Sequence, residues 1–241
     1  SEKMSKSKKN VVDPVNIIKK YGADVARFFM LSDSPPERSL EWTENGIEGA
    51  NRYIQKIWNF YNIKIPLLNF NGINSYDTEA KEVEKLMNIT INKVSKSLDC
   101  FQYNVAVASL REFSNVFMKK LENPSTQYNI ILKKAMNIWL ILSSPMIPHI
   151  TEELWKKMGN TSSITKTKWP EADTDLLQDD YSNLVVQING KKKCLIKIKN
   201  DLNGNEIKKI ILSNELIIKS LKGVNPKKTI LIPKKVFNII I

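Results

Sequence analysis

Through the first two-thirds of the chain apolar residues recur at three- and four-residue steps, the spacing that lays one stripe along one face of a helix. The clearest run extends from Thr43 to about Asn62, where Ile47, Ala50, Ile54, Ile57, Trp58 and Tyr61 share a face. After a loop at Asn69 to Ser75 containing Gly72, three more long patterns follow. Asp77 or Thr78 caps a span to about Leu98, with Val83, Leu86, Ile89 or Thr90, Val94 and Leu98 inward. A second, from Asn104 to about Leu121, aligns Val107, Leu110, Phe113 and Phe117. A third, from Ser125 to about Ser143, is apolar almost all round at Ile138 to Leu142, which marks it as the central helix. Shorter helices flank these. Asp13-Pro14 reads as N-cap and first helical residue, Ile17, Ile18 and Tyr21 form the stripe, and Gly22 follows the helix end. Ala23 to Leu31 carries Val25, Phe28 and Phe29 and stops at Ser34-Pro35-Pro36. Pro145 and Pro148 break the chain before a short helix from Ile150 to Lys157 that ends at Gly159. Long amphipathic helices with short connections predict an antiparallel bundle.

From Leu184 the period changes. Leu184 to Ile188 is strand-like, Asn189-Gly190 is a hairpin turn, and Cys194 to Lys199 alternates apolar and basic residues. Helical segments at Asn205 to Leu212 and Glu215 to Leu221 precede strands at Lys228 to Ile232 and Val236 to Ile241, joined at Pro233-Lys234. The order predicts a small α+β domain, so the chain is mainly α with an α+β end. Four parts follow: residues 1–42, a helical bundle at 43–165, a linker at 166–183 that Trp169 pins to the bundle, and the terminal domain at 184–241.

Charge follows the same division. The net charge is +12, of which residues 1–20 carry +4 and residues 184–241 carry +10, leaving −2 between them. Overall lysine richness fits a compositional bias, but its segregation to the two ends points to polyanion contacts there. Apolar content of 42% and charged content of 26% over 241 residues are those of a globular protein. No apolar run approaches the ~20 residues that span a bilayer, so no membrane partner is expected. Cys100 and Cys194 fit no metal or redox spacing, which suggests reduced thiols in the cytoplasm and no metal bound by these residues. Without an initiator methionine, and with functional chemistry in its first ten residues, the chain is expected to be the C-terminal piece of a longer protein.

That chemistry lies in Lys3-Met4-Ser5-Lys6-Ser7. Two ammonium groups three residues apart, spaced by small hydroxyl residues, suit a mobile loop that grips phosphate and follows its charge through a reaction. The five residues resemble the signature loop of class I aminoacyl-tRNA synthetases, and a chance match in a chain this long is on the order of one in ten thousand. Lys20-Tyr21-Gly22-Ala23-Asp24 with Arg27 is similar to the class I enzymes for large aliphatic amino acids and methionine. Glu41-Trp42 with Gly46 to Tyr53 resembles the bacterial leucyl-tRNA synthetases, and so does Val186 to Lys191 at the opening of the terminal domain. Pro145 to Trp155 is similar to the end of the anticodon-binding bundle in this subfamily, with His149 there a structural hydrogen-bonding residue. The zinc-binding cysteine pairs of the isoleucine enzymes and the terminal heptad helix of the valine enzymes do not appear. Lys9 and the run Lys191 to Lys193 depart from the usual pattern.

The resemblance implies a parent enzyme that activates leucine with ATP and magnesium and charges tRNA(Leu), a cytoplasmic monomer. Lys3 and Lys6 would be catalytic, and Lys3, Met4, Ser5, Lys6 and Ser7 would meet ATP. Leucine and ATP would bind through a catalytic domain outside these residues, so the chain alone would not aminoacylate. Candidate tRNA contacts are Arg52 and Lys56, one helical turn apart, and Lys191, Lys192, Lys193, Lys197, Lys199, Lys227, Lys228, Lys234 and Lys235. For Arg52 and Lys56 a solvated helix face is the competing reading. An isoleucyl-, valyl- or methionyl-tRNA synthetase and a stand-alone RNA-binding module remain the alternatives.

Overall fold

The computed structural model describes residues 3–5, 7–8, 10–67, 78–122, 129–177, 181–221, 223–233 and 235–241. It divides into two compact units, residues 1–177 and 178–241. The expected fold class is the one observed: a helical bundle followed by a small α+β domain.

In the first unit α1 (Pro14–Tyr21) starts as expected, with the Asp13 carboxylate accepting from the Val15 amide at 3.0 Å. Gly22, at φ +86°, turns the chain directly into α2 (Ala23–Asp33), a left-handed conformation that disfavours any residue with a Cβ. The Thr43 hydroxyl caps α3 (Glu44–Lys64) by accepting from the Gly46 amide at 3.2 Å. Gly46 has a second reason to lack a side chain: a Cβ there would lie 2.5 Å from Phe29 Cε2. The bundle continues with α4 (Thr78–Asp99), α5 (Tyr103–Lys120), α6 (Asn129–Ser143) and α7 (Pro148–Lys157). The expected loop at 69–75, the Asp77 cap and the expected helix start at Ser125 lie outside the described residues.

The core forms around aromatic rings. Tyr61, Phe113, Phe117 and Trp139 are fully buried, and Phe113 and Phe117 meet edge to face at 5.5 Å. Both polar atoms in this cluster are satisfied by backbone: Tyr61 Oη donates to the Met136 carbonyl at 2.9 Å, and Trp139 Nε1 donates to the Leu110 carbonyl at 3.0 Å. Leu132, Ala135, Met136, Trp139, Leu140 and Leu142 are all buried, which makes α6 the central helix. Residues beyond α7 strap onto α4, where Trp169 Nε1 donates to Ser95 Oγ at 2.8 Å and the Asp173 amide donates to Asn88 Oδ1 at 2.8 Å.

The second unit contains β1 (Tyr181–Ile188), β2 (Lys191–Lys199), α8 (Gly204–Leu212), α9 (Glu215–Leu221), β3 (Lys228–Ile232) and β4 (Val236–Ile240). Asn189 (φ +48°) and Gly190 (φ +78°) make the tight β1–β2 hairpin. The sheet order is β2-β1-β4-β3, with both hairpins antiparallel and the two central strands, β1 and β4, parallel. Alternation sends Leu184, Val186, Ile188, Phe237 and Ile239 to one face, where they pack with Ile211, Ile217 and Leu221 of the helices. Asn203 and Glu206 form a reciprocal capping box at the start of α8.

Candidate functional sites

The N-terminal segment forms a short turn closed by its own polar groups. The Ser5 amide donates to Asn10 Oδ1 at 2.8 Å, Asn10 Nδ2 donates to the Lys3 carbonyl at 3.4 Å, and the Ser5 and Ser7 hydroxyls lie 3.2 Å apart. Lys3, Met4 and Ser7 are exposed and Ser5 is half-buried; Lys6 lies outside the described residues. Among the described residues no carboxylate pairs with Lys3. The ammonium group and two hydroxyls therefore face water, where a phosphate group can reach them.

Beyond α1, α2 is tied to the α6–α7 connection and the start of α7 by two charged side chains one helical turn apart. The buried Asp24 carboxylate accepts from the Ile150 amide at 2.7 Å and faces His149 Nδ1 at 2.8 Å, so it caps the first turn of α7 from a distant part of the chain. Arg27 donates to the Met146 carbonyl at 2.9 Å through Nε and to the Pro145 carbonyl at 2.7 Å through Nη2. The His149 ring is held by its Nδ1 side while its side chain stays 77% exposed.

The candidate cations fall into groups. Arg52 and Lys56 are exposed on α3; Arg52 lies 3.9 Å from Glu48, and Lys56 donates to Asn115 Oδ1 at 3.4 Å. In the second unit Lys191, Lys192 and Lys193 open β2, and Lys197 and Lys199 follow at alternate positions. Because Ile198 is buried against the helices, Lys197 and Lys199 lie on the opposite, open sheet face; Lys192 pairs with Gln187 on that face, and Lys193 is the extra residue where the register shifts. Lys228 shares that face from β3, with Lys227 and Lys235 at the ends of the β3–β4 hairpin; Lys234 lies outside the described residues. β2 and β3 are the two edges of the sheet, and on both of them the lysines of the open face alternate with exposed apolar side chains: Leu195 on β2, at 55% exposure, and Ile230 and Ile232 on β3, at 40% and 50%. The sequence did not single out Lys64 or Lys119, which with Lys56 line a groove between α3 and α5, or Arg111, whose guanidinium the fold sets beside the Tyr53 and Phe28 rings. Their four-residue steps relative to Lys56 and Asn115 were the available signal. Among the described residues no three His, Cys, Asp or Glu side chains converge as a metal site would require, and no helix is long and apolar enough to cross a membrane.

Residues 80–211, from the first turns of α4 into α8, match the family described as the anticodon-binding domain of tRNA ligase, and residues 1–43 match the class I tRNA synthetases for I, L, M and V. The chain belongs to this family of tRNA ligases, of class I. Within it, the kinship is with the leucine enzymes. The chain is 37% identical over 245 residues to a leucine–tRNA ligase of Cereibacter sphaeroides, covering 100% of this chain and 27% of that protein. It is 39% identical over 241 residues to those of Roseobacter denitrificans (27% of that protein) and Rickettsia canadensis (28%), again over 100% of this chain. It thus spans about a quarter of the length of the curated relatives it matches. The fold is shared with a LeuRS from Agrobacterium radiobacter solved in a ternary complex with tRNA and LeuAMS, at TM-score 0.83 and 24% identity, over 98% of this chain and 31% of that one.

Proposed function

We propose that this chain is the C-terminal, tRNA-holding part of a leucine–tRNA ligase, and that its first residues serve the ATP reaction of the whole enzyme. The observation that carries the reading is similarity over the whole of this chain to about a quarter of the length of leucine–tRNA ligases, joined to a cationic turn that keeps Lys3 in water without a carboxylate partner among the described residues. In the reaction a leucine carboxylate oxygen attacks the α-phosphorus of ATP. The bond to the β-phosphate bridging oxygen breaks, and pyrophosphate departs with added negative charge. Lys6 and Lys3 meet that charge as it develops, and Met4, Ser5 and Ser7 complete the loop around the phosphates. No residue of this chain is assigned to the magnesium that accompanies ATP. The bundle supports tRNA(Leu) through Arg52 and Lys56. Lys191, Lys192, Lys193, Lys197, Lys199, Lys227, Lys228, Lys234 and Lys235 of the second unit hold its backbone by shape and charge. The enzyme acts as a cytoplasmic monomer, and the chain alone does not aminoacylate.

The test is Lys6→Ala in the full-length enzyme. Leucine-dependent pyrophosphate exchange should fall by about 10²–10³ while ATP binding changes far less. Equal losses in both would refute a transition-state role. Removing residues 184–241 should cripple tRNA charging and spare leucine activation; charging that survives intact would show that the second unit does not anchor the RNA.

A further inference from the structure

A cavity of about 490 Å³ opens where the joint between α1 and α2 meets α3 and α7, a size typical of small-molecule sites. Val25 and Ile54, both buried, and Ile150 give it an apolar wall, and the half-buried rings of Tyr21 and Trp58 extend it. The charged groups of the lining are acidic. Asp24 and Glu153 contribute carboxylates, and among the described residues no Lys or Arg lines the cavity. In a chain of net charge +12 that sign is unusual, and it turns polyanions away.

Two acceptors stand one turn apart on α7. The first is His149. Asp24 faces its Nδ1 at 2.8 Å, and a carboxylate only accepts, so in the neutral ring Nδ1 carries the proton and the exposed Nε2 keeps its lone pair. The second is Glu153, four residues on. Its neighbour Glu152 closes an ion pair with Lys156, also four residues on, at 3.7 Å. Lys157 stands at the same offset from Glu153 but turns away: its Nζ donates to Asn62 Oδ1 at 2.6 Å and lies 4.5 Å from the centre of the Trp58 ring. Glu153 is therefore left without an ion pair among the described residues. A divalent metal would need a third ligand, and no three such side chains converge among the described residues. An ammonium group needs less. It has three donors, and acceptors whose Cβ atoms are about 5–6 Å apart suit it.

We propose that this cavity binds a small primary amine carried on a flat apolar body. The ammonium donates to Glu153 and to His149 Nε2, and the body rests against Val25, Ile54 and the Trp58 ring. The inference goes beyond the tRNA-holding role and stands whether or not that reading holds.

The test uses the 241-residue chain and benzylamine as probe. His149 is the only histidine, so its ring signals in a long-range proton–nitrogen spectrum report the cavity without assignment. The titration is run at a constant pH of about 8, so that protonation of the ring does not move the signals. Benzylamine should shift them saturably with a Kd of about 1 mM, a strength that a ligand of so few atoms reaches. Benzyl alcohol has the same shape without the charge and should bind at least about tenfold more weakly; phenylacetate should give no saturable shift. Glu153→Gln, at an exposed position, should weaken benzylamine by about tenfold, and Glu153→Asp should restore part of the loss. Glu112→Gln on α5 removes the same charge outside the lining and should stay within about twofold of the parent. Circular dichroism checks that each variant folds. Absence of a saturable benzylamine shift, equal binding of the alcohol, or an unchanged affinity in Glu153→Gln would each overturn the proposal. The fluorine signal of 4-fluorobenzylamine repeats the titration on the full-length ligase. Binding there that Glu153→Gln weakens supports a free ligand; its loss there assigns the cavity to a basic side chain of the rest of the enzyme and overturns the small-molecule site.

Discussion

Replacing Asp24 by alanine removes both acceptors of the clasp between α2 and α7. The bond from the Ile150 amide is buried and charge-assisted, and its loss costs about 1.5–3 kcal/mol because the amide then has no partner. The bond to His149 contributes less, about 0.5–1 kcal/mol, because that side chain is 77% exposed and water replaces the carboxylate. Loss of a negative charge at the start of α7 adds about 0.3–1 kcal/mol. Asp24→Ala should therefore destabilise the first unit by about 2–5 kcal/mol. Asp24→Asn keeps an oxygen for the Ile150 amide and should cost about 1–2 kcal/mol, and His149→Ala should cost less than either. Urea unfolding followed by tryptophan fluorescence isolates this effect, because all five tryptophans lie in residues 1–177. The ring itself offers a second readout. At alkaline pH the Asp24 carboxylate selects the Nδ1–H tautomer, whereas an asparagine amide directed at the ring favours Nε2–H. The chain has a single histidine, so long-range proton–nitrogen spectra report that change without assignment. Equal destabilisation by Ala and Asn, or an unchanged tautomer in Asp24→Asn, would refute the capping argument.

Three further predictions follow from other parts of the fold. Gly46→Ala should lower stability by about 1–2 kcal/mol despite its better helix propensity, because its Cβ would meet Phe29 Cε2 at 2.5 Å and the capping Thr43 Oγ1 at 2.7 Å; a rise in the urea midpoint would contradict this. Burial pushes the Tyr53 hydroxyl up to about 12 from an ordinary 10.0, so its contribution is complete below pH 10 and disappears as pH rises through 12. Tyr53→Phe should then remove about 2–3 kcal/mol of the alkaline stability loss, with Tyr61, also raised by burial, carrying what remains; an unaltered alkaline limb would rule this out. Asn203→Ala removes the side-chain half of the capping box, the acceptor for the Asn205 and Glu206 amides, and should cost the second unit about 1 kcal/mol in a thermal scan by circular dichroism, leaving tryptophan fluorescence unmoved.

The helices were legible because burial leaves a periodic trace in the sequence, and several ends were legible because caps are local chemistry. Asp13-Pro14, Gly22, Thr43 and Asn189-Gly190 perform the roles their residue types suggest. Pro148 is a difference. Its spacing reads as a break, yet it occupies the first position of α7, where a missing amide costs nothing. β1 begins at Tyr181 rather than Leu184 because Ser182 and Asn183 pair with Ile198 and Lys197, a backbone ladder that polar side chains do not disclose. The parts of the candidate sites divide in the same way. The cationic turn was visible as a motif and β2's lysines as an alternation. The clasp joins residues more than a hundred positions apart, and the aromatic cage of Arg111 draws on α2, α3 and α5. Nothing periodic encodes such meetings; they arise from packing.

The parallel pairing of β1 with β4 has a kinetic corollary. The Asn189 amide donates to the Ile239 carbonyl, and the Gly190 amide donates to Asn238 Oδ1, so the first hairpin of the second unit is finished by the final strand. During synthesis on the ribosome that hairpin must wait, its apolar face uncovered, until residue 240 has emerged. Loss of only the last few amino acids would remove the strand that both β1 and β3 pair with, leaving a lone β1–β2 ribbon and a partnerless β3, and quality-control proteases would meet the consequence before any substrate did.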